Sequence, residues 1–145
     1  MGMFLDADAE LGRIEPDVRH VPEVLEVRVQ IYSGLGNWKL MQVVAGNLVG
    51  HDSANIQWIV WRAFAARRAE SLEAARSILL EAVERHPEAA ILHYNLACYE
   101  CQLGELEVAK ARLRHAVKVE AAWRALAMED EDLKPLWDSF GESLA

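Results

Sequence analysis

Proline occurs four times and glycine eight times in 145 residues, too seldom for a chain of short strands and tight turns or for a disordered linker. Strand-type alternation of apolar and polar residues is almost absent too, whereas the good helix formers alanine, leucine, glutamate and arginine are plentiful. An all-α fold is expected. Two cysteines are too few for a disulfide framework. Asp6, Asp8 and Glu10 interrupt any secretory apolar run, so the thiols read as reduced and the protein as cytoplasmic. No apolar stretch approaches the ~20 residues of a membrane-spanning helix. Positive charge is scarce: the formal net charge is −8, and the nearest thing to a basic stripe is Arg62, Arg67 and Arg68. From 129 to 142, Glu129, Asp130, Glu131, Asp132, Asp138 and Glu142 face a single Lys134. Nucleic acid and anionic membranes are thereby excluded as expected partners.

What the chain does have is 52% hydrophobic and 26% charged residues, a balance that folds, at a length suited to one continuous core. It also has an internal period. Gly36-Asn37-Trp38 is followed 34 residues on by Glu70-Ser71-Leu72, and 34 further by Gly104-Glu105-Leu106. The same step links Met41, Ala75 and Ala109, then Ala45, Leu79 and Leu113, then Leu48, Ala82 and Ala116. Within one period, Leu72, Ala75, Leu79, Ala82 and Val83 form an apolar stripe, with Glu73, Arg76 and Glu81 outside it. Ser71 is placed to cap that helix and His86-Pro87 to stop it.

A 34-residue helix-turn-helix period of this kind resembles the tetratricopeptide repeat (TPR) of small bacterial TPR proteins. The third unit carries the resemblance best: Leu96-Ala97 stands where the family has Leu-Gly, and Gly104 takes the turn. Ala109, Leu113 and Ala116 hold the small, large and small positions of its second helix. The second unit ends on Pro87, the family's terminal proline, but has Glu70 at its hinge; the first has Met41 for a small residue and Ser53 for the proline. The resemblance implies an α-solenoid of about three units, at 22–55, 56–89 and 90–121, in one domain spanning 1–145. An unpaired leading helix at 3–15 and a capping segment at 122–145, with Leu133, Leu136, Trp137 and Phe140 on a helix, complete the expected architecture.

In TPR proteins the first helices of successive units line a concave groove. Carried over by register, that groove falls to Glu26 and Gln30 in unit one, to Gln57, Val60, Phe64, Arg67 and Arg68 in unit two, and to Tyr94, Cys98 and Cys101 in unit three. Glu26, Val60 and Tyr94 stand where carboxylate-clamping TPR domains place basic and amide groups, so a chaperone-tail clamp is not expected. The resemblance implies a protein or peptide partner with apolar anchors, because arginine and aromatic side chains dominate binding energy at interfaces. An alternative is that Phe64 and Tyr94 simply pack between helices. Trp58 and Trp61 divide in the same way, between groove and core.

No constellation for chemistry accompanies this. Cys98-Tyr99-Glu100-Cys101 is a CxxC set mid-helix, away from the helix N-terminus that would activate a thiol, and with no second pair to complete a zinc site. The five histidines are scattered, there is no HExxH, GxSxG or phosphate loop, and the acidic run at 129–132 lacks the order of a calcium loop. The expectation is a non-catalytic binding module without cofactor or metal. Two other readings remain: a homodimer formed through the apolar face Phe4, Leu5, Leu11 and Ile14 of the leading helix, and a small TPR chaperone for secreted proteins.

Overall fold

The first two helix pairs begin with a residue that settles a local conformational problem. Pro22 occupies the first turn of α1 (Pro22–Leu35), where its missing N–H costs nothing. Gly36 ends that helix at φ +70°, a left-handed conformation that a Cβ would oppose. The Asn37 side chain then accepts from the Leu40 N–H at 3.3 Å and starts α2 (Trp38–His51). Asn55 does the same for α3 (Ile56–Ala69), accepting from the Trp58 N–H at 3.2 Å. At the equivalent hinge Glu70 is not left-handed (φ −125°); its N–H and that of Ser71 both return to the Ala66 carbonyl. The glycine solution reappears at Gly104, φ +86°, between α5 (Ala90–Gln102) and α6 (Leu106–Val119).

This computed structural model describes Ala7, Ala9 and residues 21–140. Among them are seven α-helices, a 3-10 segment and no strand: after α3 come α4 (Leu72–Arg85), α5, α6, α7 (Trp123–Ala127) and the 3-10 segment Glu131–Ser139. First helices start at residues 22, 56 and 90 and second helices at 38, 72 and 106, so both series recur after 34 residues. All nine residues of the three register sets, from Met41 to Ala116, are buried. The chain divides between Ser71 and Leu72 into two compact units.

In the first unit α1 packs on α2 and α2 on α3. Leu25, Val29, Ile31, Tyr32, Met41, Val44, Ala45, Leu48, Trp58 and Ala65 form its core, against which Ala7 also packs. Ala7 and Ala9 are helical; the rest of the expected leading helix at 3–15 lies outside the described residues. In the second unit α4 packs on α5, α5 on α6, and the 3-10 segment on α5. Leu79, Leu92, Leu96, Leu113, Leu133 and Leu136 are its largest fully buried side chains. The cap departs from expectation in kind. Residues 131–139 are a 3-10 run rather than an α-helix, since Pro135 in their middle lacks an N–H and its ring conflicts with α-helical packing.

Among the described residues, two buried polar side chains, His93 and Glu100, stand at core positions of the repeat. His93 falls 34 and 68 residues after Ile59 and Leu25, all three buried, and Glu100 follows Ala66 and Tyr32 in the same way. Each carries its own partners. The Glu100 carboxylate meets Arg76 Nη1 of α4 at 3.5 Å. His93 Nε2 lies 2.7 Å from the Pro87 carbonyl and must donate to it, so Nδ1 accepts from Arg112 Nη1 at 3.3 Å. That tautomer is neutral.

Candidate functional site

The first helices of the first unit, α1 and α3, flank a cavity of about 250 Å³. Val29, Gln30 and Ser33 come from α1, Val60, Trp61 and Phe64 from α3, and Met41 of α2 closes the back. The helical period explains the lining. Val29 and Ser33 lie one turn apart on α1, and Val60 and Phe64 one turn apart on α3, so each helix presents two stacked residues to the gap. Val29 and Met41 are buried, whereas Phe64 is 36% exposed at the rim. None of the lining side chains ionises in the physiological range.

The rim is an aromatic-cation cluster. The Trp38 ring meets Phe64 edge-on, with centroids 5.7 Å apart and planes at 74°. The Arg68 guanidinium carbon sits 3.8 Å from the Phe64 centroid and 5.0 Å from that of Trp38, and Arg68 Nη1 donates to the Phe64 carbonyl at 3.4 Å. Phe64 and Arg68 are four apart on α3, the spacing that lays one over the other. Toward the N-terminal ends of α1 and α3, Glu26 accepts from the buried Trp58 indole N–H at 3.2 Å.

Of the residues expected to form a groove, Gln30, Val60 and Phe64 line this cavity and Arg68 stacks on its edge. Glu26 is tied to Trp58, Gln57 is exposed on α3, and Arg67 is half-buried in the helix's last turn. The remaining three have a different setting. Tyr94, Cys98 and Cys101 are all buried in the second unit, on the side of α5 that the C-terminal segment covers. Tyr94 stacks on Trp123 (4.5 Å, 29°) and donates to Asp130 Oδ2 at 2.9 Å. Cys98 Sγ lies 3.7 Å from the same oxygen, and Gln102 Nε2 donates to the Asp132 carbonyl at 2.8 Å. As a free surface for a partner these three are corrected: Trp123, the Asp130 turn and the 3-10 segment take up the space the register had assigned to a ligand.

Cys98, Asp130 and Asp132 bring ligand-type atoms within 4.8 Å of one another. Asp130 is already engaged, its Oδ1 accepting from the Asp132 N–H and its Oδ2 from Tyr94. Burial, then the hydrogen bond to Asp130, pushes the Tyr94 hydroxyl far above its ordinary pKa; burial and the Asp132 and Asp130 charges push the Cys101 thiol up. Both groups therefore hold their protons, and Cys101 is a poor thiolate nucleophile. The arrangement is a hydrogen-bonded clasp in which Asp130 is the shared acceptor.

Two wider depressions, about 480 and 490 Å³, lie elsewhere. One is lined by His93, Glu107, Val108, Ala111, Arg112 and His115, the other by Leu25, Gly46, Asn47, Gly50 and His51. Neither combines an exposed aromatic with a stacked cation. Trp38 was not assigned to the site by the repeat register, and Trp61 was left between groove and core, because the register fixes helix faces but not which indole tips over the gap. The available signal was the spacing of Phe64 and Arg68 beside a tryptophan at the helix hinge. Among the described residues no helix is long and apolar enough to cross a membrane. No family model matches this chain, and neither a curated protein nor a solved structure matches it.

Proposed function

We propose that this chain is a non-catalytic, TPR-like protein-binding module of the cytoplasm, whose cavity between α1 and α3 receives an apolar side chain from a peptide or helix of another protein. One observation carries the reading: an open, mostly apolar cavity, bordered by an exposed Phe64, Trp38 and a stacked Arg68. Anchors of that composition concentrate binding energy at protein interfaces. A volume of about 250 Å³ is below the ~300–1,000 Å³ usual for small-molecule sites and suits one inserted side chain. The lining offers no acid-base pair or nucleophile-base pair with which to run a reaction. The 34-residue recurrence of helix starts and the nine buried register residues support the solenoid-repeat reading of the fold.

The test is affinity capture with quantitative mass spectrometry on wild type, Phe64→Ala and a control, Val119→Ala, on the exposed face of α6. Partners held by the cavity are lost with Phe64→Ala and kept with Val119→Ala, while circular dichroism shows both variants as helical as wild type. Equal recovery from all three proteins overturns the proposal.

A further inference from the structure

The outward positions of α2 differ in chemistry from those of the other second helices. Where α4 carries Glu81 and Glu84, and α6 carries His115 and Lys118, the same register gives α2 Asn47 and Gly50. About one and two turns before Asn47 stand Val43, 56% exposed, and Leu40, 44% exposed. Leu40, Val43, Asn47 and Gly50 are spaced i, i+3, i+7 and i+10, a single stripe along the helix. From Leu40 to Gly50 the helix has no charged side chain, in a chain whose net charge is −8. An exposed apolar stripe with no charge along it points to a partner.

The stripe is large at one end and small at the other. Gly46 and Gly50 both lie within α2, where glycine is among the poorest helix formers. No neighbour in the chain requires them, since a Cβ at either would meet no atom within 4 Å. Together with Leu25, Asn47 and His51 they line a depression of about 490 Å³. A missing Cβ that serves no internal contact leaves room for close approach from outside.

We propose that a second copy of this chain docks on this face, α2 against α2 in antiparallel, about a two-fold axis near the middle of the helix. Two-fold pairing joins a face to itself and therefore needs a face whose two halves complement each other. The axis sets Leu40 and Val43 of each copy over Gly46 and Gly50 of the other, where the depression receives them. The bordering charges match across the same axis: Lys39 lies at the start of α2 and Asp52 just past its end, so each Lys39 comes beside Asp52 of the other copy. Two chains of net charge −8 repel one another, and least through a face that carries no acidic group. A single pair of helices about 21 Å long buries less than the ~1,200 Å² of a standard interface, so the dimer is weak, with a Kd on the order of 10–100 μM.

Sedimentation velocity of the full chain between about 5 and 500 μM tests this, with wild type passing from monomer to dimer across that range. Val43→Glu, which sets two like charges near the axis, weakens the dimer more than tenfold, and Lys39→Glu weakens it about threefold. Gly46→Ala combined with Gly50→Ala separates the two roles a glycine can have. It raises the melting temperature of the dilute monomer, because alanine is the better helix former. It also weakens the dimer more than tenfold, by putting two methyl groups where Leu40 and Val43 of the other copy pack. Circular dichroism shows the variants as helical as wild type; should Val43→Glu lose helicity, the glycine variant decides alone. A wild type still monomeric at about 500 μM overturns the proposal and leaves the face to a different protein. A dimer that Val43→Glu and the glycine variant both leave intact overturns it in favour of another surface. A glycine variant that melts below wild type also overturns it, because the glycines would then serve the chain's own packing.

Discussion

The ion pair at Glu100 gives a prediction in which two substitutions, both removing one interaction, should cost unequal amounts. Glu100 stands at a core position, its side chain 6% exposed, while Arg76 beside it is 30% exposed and its nitrogen is 3.5 Å away. At that separation the gross attraction is about 5 kcal/mol for an effective dielectric of ~20, and most of it is offset by taking the charges out of water. Removing Arg76 leaves a carboxylate with little access to water. Removing the charge of Glu100 leaves an arginine that can still hydrate. Arg76→Met, which keeps the aliphatic stem, is therefore expected to destabilise the second unit by about 2–3 kcal/mol, below the ~3–5 typical of fully buried pairs because Arg76 is partly wet. Glu100→Gln is expected to cost about 1 kcal/mol, as its amide oxygen can still accept from the guanidinium. In urea titrations followed at 222 nm, 2–3 kcal/mol is a midpoint shift of about 1–2 M for m near 1.5–2 kcal/mol/M. The double variant closes a thermodynamic cycle on the pair. If Glu100→Gln proves as damaging as Arg76→Met, or costs more, then burial does not govern this pair and the reasoning fails.

Burial, opposed by the Pro87 carbonyl and reinforced by His115 and Arg112, with Glu88 pulling upward, lowers the His93 pKa below 6.5. The unfolded chain then takes a proton near pH 6.5 that the folded unit refuses, so His93's contribution is whole above pH 6.5 and is lost as pH falls from there toward the lower folded value. Thermal melts between about pH 5 and 8 should show this slope flattened in His93→Leu, the residue of the same register at Leu25; an unchanged slope would remove His93 as its source. Gly36→Ala and Gly104→Ala meet no atom within 4 Å, so their cost of ~1–2 kcal/mol is that of a left-handed Cβ alone and should be similar at both hinges by melting temperature. Leu133→Ala, at a site with no exposure, should cost ~2–4 kcal/mol and raise the rate at which Cys98 and Cys101 react with a thiol reagent by more than tenfold; unchanged thiol rates would mean that this segment does not shield them.

Helix placement was legible because two periods agree in this chain. The 3.6-residue stripe tells which face is inside, and the 34-residue step repeats that face, so Ala75, Leu79 and Ala82 could be read from Ala109, Leu113 and Ala116. The glycine hinges were legible for a steric reason, and Glu70 stood out as the hinge that cannot use their left-handed ending. The cap was not legible in the same sense. Residues 122–140 lie outside the period, so nothing in the register says which helix they lie on or that Pro135 turns them into a 3-10 run. His93 and Glu100 carried the opposite difficulty: a polar residue at a core position is interpretable only once its partners, Pro87, Arg112 and Arg76, are seen around it.

The contrast between Phe64 and Tyr94 shows why register alone does not define a binding surface. Both stand on first helices, and the repeat assigned both to the same groove. Phe64 keeps an exposed edge beside an open cavity, and its neighbours Trp38 and Arg68 leave that cavity accessible. Tyr94 instead meets Trp123 face to face and gives its hydroxyl to Asp130, contacts a peptide partner would otherwise have supplied: an aromatic surface and a carboxylate. The C-terminal segment thus satisfies α5 with the pairing of chemistries, apolar side chains next to acidic groups, that the first-unit cavity lacks. Leu133 and Leu136 of that segment are fully buried, and Asp130 accepts from the tyrosine hydroxyl. On α5 those contacts come from within the chain, whereas between α1 and α3 the cavity beside Phe64 stays open.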